Sequence, residues 1–205
     1  MSKYSQGFEA DTGKILNIVI NSLYSDRDIF LRELLSNASD AIHKRKFLGQ
    51  TDPAVLNTSE DSIRIDIDKK KKTIDITDTG IGLDKDELAE TLGTIAKSGT
   101  SSFLEELSAD DNTKDAAKTL IGQFGVGFYS AFMVAEKVEI ITKSYKDEDA
   151  AHWICDGSPE YSLKKGKKSD RGTEIILHIS EDSTEFLEEN RISELLKKYN
   201  KFIFI

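Results

Sequence analysis

The stretch Ile29–Lys44, IFLRELLSNASDAIHK, has the spacing of a helix with chemistry on the side where an ordinary helix is merely solvated. At about 100° per residue, steps of four, three and four return Glu33, Asn37, Asp40 and Lys44 to one narrow stripe. Leu31, Leu34, Leu35, Ala38, Ala41 and Ile42 occupy the broad opposite face, which must be buried against a core. A plain solvated face would also account for such a stripe, and taken alone it is the commoner outcome. The choice of residues argues for more. Asn37 has modest helix propensity, yet its carbonyl oxygen suits a hydrated cation.

Working outward, an amphipathic helix is expected at about residues 11–24, with Ile15, Ile18, Val19 and Leu23 on one face. Downstream of the central helix, Pro53 fits a short helical turn. Ile63, Ile65 and Ile67 then alternate with polar residues, as do Ile74 and Ile76 after a lysine-rich turn, which predicts a hairpin with one buried face. The second strand runs into DTGIG at 78–82, expected at a strand end on the edge of the sheet. Asp84 and Glu87 have the spacing of a capping box opening a helix through Leu88 and Leu92. Residues 94–120 are small, polar and acidic, the composition of a surface loop or of a lid over a ligand. GQFGVG at 122–127 leads into FYSAFMVA, an apolar helix that must be buried. Strands are expected at Val138–Thr142, Ala151–Cys155, Tyr161–Leu163 and Thr173–Ile179, and a last helix over Thr184–Tyr199. This order predicts an α+β two-layer sandwich: a mixed, mainly antiparallel sheet covered on one face by helices. No repeat or internal boundary interrupts it, so residues 1–205 read as one domain.

Composition narrows the function classes. A net charge of −9 disfavours nucleic acid as the main partner, and no apolar run has the length of a membrane span. The first dozen residues are too polar for a secretory signal and lack the arginine-rich pattern of a transit peptide. The runs Lys69–Lys72 and Lys164–Lys168 are short and read as turns between strands. Cys155 is the only cysteine, which suits a reducing compartment, and His43, His152 and His178 have no metal-ligand spacing.

Three groups carry recognisable chemistry. A carboxylate at Asp78 can accept a hydrogen bond from the exocyclic amine of adenine and disfavours guanine, which presents an acceptor there; an ordinary Asp-Thr-Gly turn is the plainer reading. Gly122, Gly125 and Gly127 precede a helix, so backbone N–H groups can face phosphate oxygens, although a glycine hinge has the same composition. No Lys-Ser or Lys-Thr pair follows, so this is not the Walker pattern. Lys97 can add charge toward a phosphate. Asn37 can hold Mg²⁺, whose remaining ligands are waters and phosphate oxygens. Glu33, one turn earlier, is spaced to orient and deprotonate a water attacking the terminal phosphate.

The wording ELLSNASDA at 33–41, with DTGIG and GQFGVGFYSAF at 122–132, resembles the ATP-binding domain of the heat-shock protein 90 chaperones, in the superfamily of DNA gyrase, histidine kinases and MutL-type repair proteins. The resemblance implies the same fold, with a mobile ATP lid at about residues 94–125. It implies that Glu33 is catalytic, that Asn37 holds magnesium through phosphates and water, and that Asp78 reads adenine with Thr173 supporting the contact through water. Asp40 is expected deeper, toward base and sugar. Ala41, Lys44, Ile81, Gly82, Leu83, Leu92, Lys97, Gly122, Gln123, Phe124, Gly125, Val126, Gly127 and Phe128 are the remaining nucleotide-binding positions. Leu83 stands where a methionine is usual, a volume-conserving change, and Thr91 where an asparagine is usual, which removes one polar contact.

As a whole, the resemblance implies a slow ATPase that binds ATP and ADP and drives a chaperone's closure on client proteins, with co-chaperones as further partners. It implies a fragment of a longer chain, monomeric alone and homodimeric in full, with a catalytic arginine supplied from outside. The wording SNASDA and LIGQFGVGFYSAF favours the bacterial and mitochondrial branches, hence a cytoplasmic or mitochondrial matrix location. A histidine kinase lacks support because no long helical hairpin with a phospho-acceptor histidine precedes the site. A topoisomerase or mismatch-repair ATPase shares the Glu, the Asn and the first glycine motif, but the acidic balance and the FGVGFYSAF wording disfavour it. A non-hydrolysing nucleotide sensor is distinguished by Glu33, for which it has no use.

Overall fold

The computed structural model describes residues 26–56, 60–93, 127–146 and 148–199. The expected helix at 11–24 and the expected lid lie outside them. Helix α1, Ile29–Leu48, buries Phe30, Leu31, Leu34, Leu35, Ala38 and Ile42 and runs a turn beyond the expected Lys44. Arg45 allows the extension, because its buried guanidinium pairs with Asp61. The helix ends where the Gly49 N–H turns back to the Arg45 carbonyl at 2.9 Å and the Gln50 N–H to the Phe47 carbonyl at 3.1 Å. At the other end Asp28 makes no side-chain cap. Its carboxylate faces Arg191 and Lys198, tying α1 to the C-terminal helix.

Pro53–Val55 forms a single 3₁₀ turn, and the hairpin β1 (Ile63–Asp68) and β2 (Thr73–Asp78) pairs Ile65 with Ile76 and Ile67 with Ile74. Helix α2 is Lys85–Gly93. Its capping box is reciprocal: the Asp84 N–H donates to Glu87 Oε2 at 2.9 Å and the Glu87 N–H to Asp84 Oδ1 at 2.8 Å. The remaining strands are β3 (Ala135–Lys143), β4 (Ala151–Cys155), β5 (Ser162–Lys165) and β6 (Gly172–Ile179). They form one sheet in the order β1-β2-β6-β3-β4-β5. Every pairing is antiparallel among the described residues, so the expected mixed sheet is corrected to an antiparallel one. DTGIG therefore leaves an interior strand, β2, and not an edge, because β6 returns to pair with β2. Lys164 and Lys165 belong to edge strand β5 and not to a turn.

One sheet face carries Ile74, Ile76, Ile175, Leu177, Val138, Ile140 and Trp153 into a core shared with α1, α2 and the C-terminal segments. On the other face, Glu139 accepts hydrogen bonds from His152 and His178, each at 2.8 Å. Burial opposes charge on Glu139, but Lys137 and the two imidazoles prevail and draw its pKa down to about 2.

Two expected helices differ in form. FYSAFMVA yields a seven-residue 3₁₀ segment, Gly127–Met133, because the chain must enter β3 at Ala135 and has no room for longer helix. Ser130 Oγ donates to the Gly127 carbonyl at 2.5 Å, claiming an acceptor that a helix would use. The final helix splits into a 3₁₀ segment, Glu181–Leu187, and α3, Glu189–Tyr199, with Glu188 extended between them. The break lets Phe186 pack edge-on against Phe30, 5.1 Å between ring centres, while Ile192 and Leu195 still face the core.

Candidate functional site

Helix α1 meets the Gly127–Met133 segment at Glu33 and the DTGIG loop at Ala41. Glu33 sits partly exposed on α1, and its Oε1 accepts from Arg32 Nε at 3.1 Å and from a second Arg32 nitrogen at 2.7 Å. The last glycine of GQFGVG crosses directly over it: a Cβ at Gly127 would collide with Glu33 Oε2. The approach that the glycine permits therefore brings the end of this motif onto the candidate base. Asn37 follows one turn later, partly exposed, and Asp40 is buried. Burial lowers the Lys44 pKa to about 8, against the opposing pull of Asp40 and Glu87.

At Ala41 the helix meets DTGIG. The Ile81 N–H donates to the Ala41 carbonyl at 3.1 Å, and Gly80 lies so close that a Cβ there would stand 2.6 Å from the Ala41 Cβ. Asp78, 6% exposed at the end of β2, accepts the Gly80 N–H at 2.8 Å and is paired in register with Thr173. Burial pushes its pKa up to about 7, although the Gly80 and Thr173 backbone N–H groups, Lys168 and Arg45 all favour the charge. Gly82 has φ of 65° and packs onto the Lys143 carbonyl, a conformation and a contact that both exclude a side chain. Leu83 donates its N–H at 3.0 Å to Thr142 Oγ1, which lies 3.1 Å from Thr173 Oγ1. A part-buried hydroxyl pair thus joins the loop to β6.

From Glu33 to Ala41 the helix advances eight residues, about 12 Å at 1.5 Å per residue. Leu92 is partly buried near the end of α2, and its carbonyl accepts the Tyr129 hydroxyl at 2.9 Å. Phe128 is nearly buried, edge-on to Tyr129 and Trp153 at 5.6 Å each, so its ring serves the core. Lys97, Gly122, Gln123, Phe124, Gly125 and Val126 lie outside the described residues.

Residues 24–185 match the family model of histidine kinase-, DNA gyrase B-, and HSP90-like ATPases. The chain belongs to that family. It is similar over its whole length to the chaperone protein HtpG of Rhodospirillum rubrum, with 47% identity over 206 residues covering 33% of that protein. HtpG of Helicobacter pylori is 47% identical over 205 residues, with 99% of this chain and 32% of the relative covered. The endoplasmin homolog of Dictyostelium discoideum is 48% identical over 202 residues, with 96% and 26% covered. The chain thus spans about a third of the length of the HtpG relatives.

Arg32, Thr142 and Tyr129 were not among the residues expected at the site. Arg32 adjoins Glu33, so its cation was in view but its direction was not. Thr142 carried a signal: it occupies the inward parity of β3 after Val138 and Ile140, where a hydroxyl needs a partner. Nothing local marked Tyr129, whose hydroxyl is used by a carbonyl 37 residues away.

Proposed function

We propose that this domain binds ATP between α1 and the DTGIG loop and hydrolyses it slowly. The observation that carries the reading is the buried Asp78 carboxylate at the Ala41 end of a helix whose other end presents Glu33 beneath Gly127. Asp78 accepts from the adenine amine, Thr173 and Thr142 hold the water and loop geometry around it, and Asp40 and Lys44 line the path between. Ile81, Gly82, Leu83 and Leu92 supply apolar and backbone surface around the base and sugar, and the glycines 122–127 with Lys97 supply donors to phosphate. Glu33 orients the attacking water and takes its proton; Arg32 holds one carboxylate oxygen, which leaves the other toward Gly127.

No group of three or more His, Cys, Asp or Glu side chains among the described residues is able to hold a metal by itself. Asn37, part-exposed on α1, offers one amide oxygen, which suits Mg²⁺, an ion that takes few protein ligands and keeps phosphate and water oxygens. Asn37 would hold it, and the ion would neutralise charge on the terminal phosphates.

The similarity to HtpG supports a role as the nucleotide-binding part of a chaperone that closes as a homodimer on client proteins. Residues outside this chain, including an arginine, complete activity there, and co-chaperones and a cytoplasmic or mitochondrial setting belong to the same reading. Calorimetric titration of ATP, ADP and GTP, each with and without Mg²⁺, tests it. Binding of both adenine nucleotides, an Mg²⁺ requirement for the triphosphate and no GTP binding are expected. Equal affinity for GTP would exclude Asp78 as the base-reading group.

A further inference from the structure

Arg171 directly precedes β6, two residues before Thr173, and is not among the proposed nucleotide-binding residues. Its guanidinium forks between two carbonyls: Nε donates to Gly80 at 3.0 Å and Nη1 to Val55 at 2.9 Å. Gly80 is the middle of DTGIG, and Val55 closes the 3₁₀ turn after α1. The two acceptors belong to segments far apart in sequence, and only a planar, multi-donor cation reaches both at once. Holding the charge there is unfavourable in itself, because burial and the neighbouring Arg45 both lower the Arg171 pKa. The hydrogen bonds to the two carbonyls offset part of that cost.

We propose that Arg171 is a positioning residue for base recognition. It sets the height of the DTGIG loop above Ala41 and thereby the distance at which a base meets Asp78. Gly80 is pressed against Ala41, with 2.6 Å left for an added Cβ, and its carbonyl is held by Arg171. The Gly80 N–H is also a direct partner of Asp78 Oδ1, at 2.8 Å. Releasing the Gly80 carbonyl therefore frees the peptide unit next to the one that orders the carboxylate. The inference rests on Asp78 as the base-reading group, and it adds a residue that acts through the loop without touching ligand.

The test uses the 205-residue chain with Arg171→Met, which keeps an apolar stem, and Arg171→Lys, which keeps the charge and one donor. ADP affinity is measured by calorimetry, and amide hydrogen exchange is followed in the empty protein. Arg171→Met should weaken ADP binding about tenfold and speed exchange at Gly80 and Ile81 at least tenfold, leaving Ile175 and Leu177 protected. Arg171→Lys should recover part of both. Parental ADP affinity in Arg171→Met overturns the proposal, as does a loss of protection spread evenly over the sheet, which marks a general structural role. If Arg171→Met does not fold, Arg171→Lys decides alone: parental exchange at Gly80 and Ile81 together with parental ADP affinity overturns it. Asp78→Asn is run alongside. Parental ADP affinity there defeats the base-site reading itself, and the Gly80 and Ile81 exchange rates then show separately whether Arg171 anchors the loop.

Discussion

Asp78 and Glu33, the carboxylates proposed to read the base and to handle the attacking water, stand in opposite surroundings. Asp78 is 6% exposed and satisfied by backbone N–H groups at the end of an interior strand, and its pKa is pushed up to about 7. The Glu33 side chain is 23% exposed, paired with a neighbouring arginine and overhung by a glycine. A group that reads a base gains selectivity from a dry site, where an unmatched partner is left unpaired. A group that handles the proton of a water must reach that water. The difference is consistent with the proposal that affinity lies at one end of α1 and turnover at the other.

The largest effect expected is at the turnover end. Glu33→Ala should lower hydrolysis by roughly 10²–10⁴-fold while ATP affinity stays within a few-fold, read by phosphate release and calorimetry on one preparation. A variant that hydrolyses at the parental rate would return the domain to the sensor class.

Asp78→Asn should do the reverse, weakening ATP by about 30- to 1000-fold, on the order of 2–4 kcal/mol. It should also stabilise the empty domain at pH 8. The folded-state pKa lies above the ordinary 3.8, so the stability that this group contributes is present below pH 4 and lost as pH rises through 7. At pH 8 the buried charge is a cost of up to roughly 4 kcal/mol, three pKa units at about 1.4 kcal/mol each, which the neutral amide avoids. Urea unfolding at pH 5 and pH 8 reads the difference, and equal destabilisation at both pH values would contradict the buried-charge account.

Nucleotide affinity should itself follow this titration. A base that needs the carboxylate competes with the proton, so ADP affinity should fall about tenfold per pH unit below 7 and level off above it. Calorimetry in buffers of different ionisation enthalpy should register proton release at pH 6. A flat profile from pH 6 to 8 would show that Asp78 is already ionised in the empty site.

The smallest effect concerns the frame joining the two regions. Tyr129→Phe removes the hydroxyl that donates to Leu92, costing about 1 kcal/mol in chemical denaturation. Burial raises the Tyr129 pKa to about 12, so the hydroxyl remains a donor through mildly alkaline pH. A loss of several kcal/mol would mean that the aromatic cluster repacks as well.

Local periodicity made much of this visible. The stripe Glu33-Asn37-Asp40-Lys44, the alternating hairpin and the Asp84–Glu87 box are patterns over four to sixteen residues, and helix and strand geometry reads them directly. The break at Glu188 and the 3₁₀ form of Gly127–Met133 were not visible. Both arise where a short connection must bring large side chains such as Phe186 and Phe128 into a core already shaped by other elements. His152 and His178 looked scattered because their shared partner, Glu139, sits on the strand between theirs.

The sequence by itself determined the family, the alternation of buried and exposed faces, and the identities of the residues on the α1 stripe and in DTGIG, because these reside in residue type and near-neighbour spacing. Only the tertiary structure decided that β6 inserts between β2 and β3, so that Thr173 meets Asp78 in register and Thr142 meets Thr173. It alone set Gly127 over Glu33 and drew Arg171 onto Gly80. These contacts join segments tens of residues apart, and their geometry follows from sheet order and core packing, which no short-range pattern encodes.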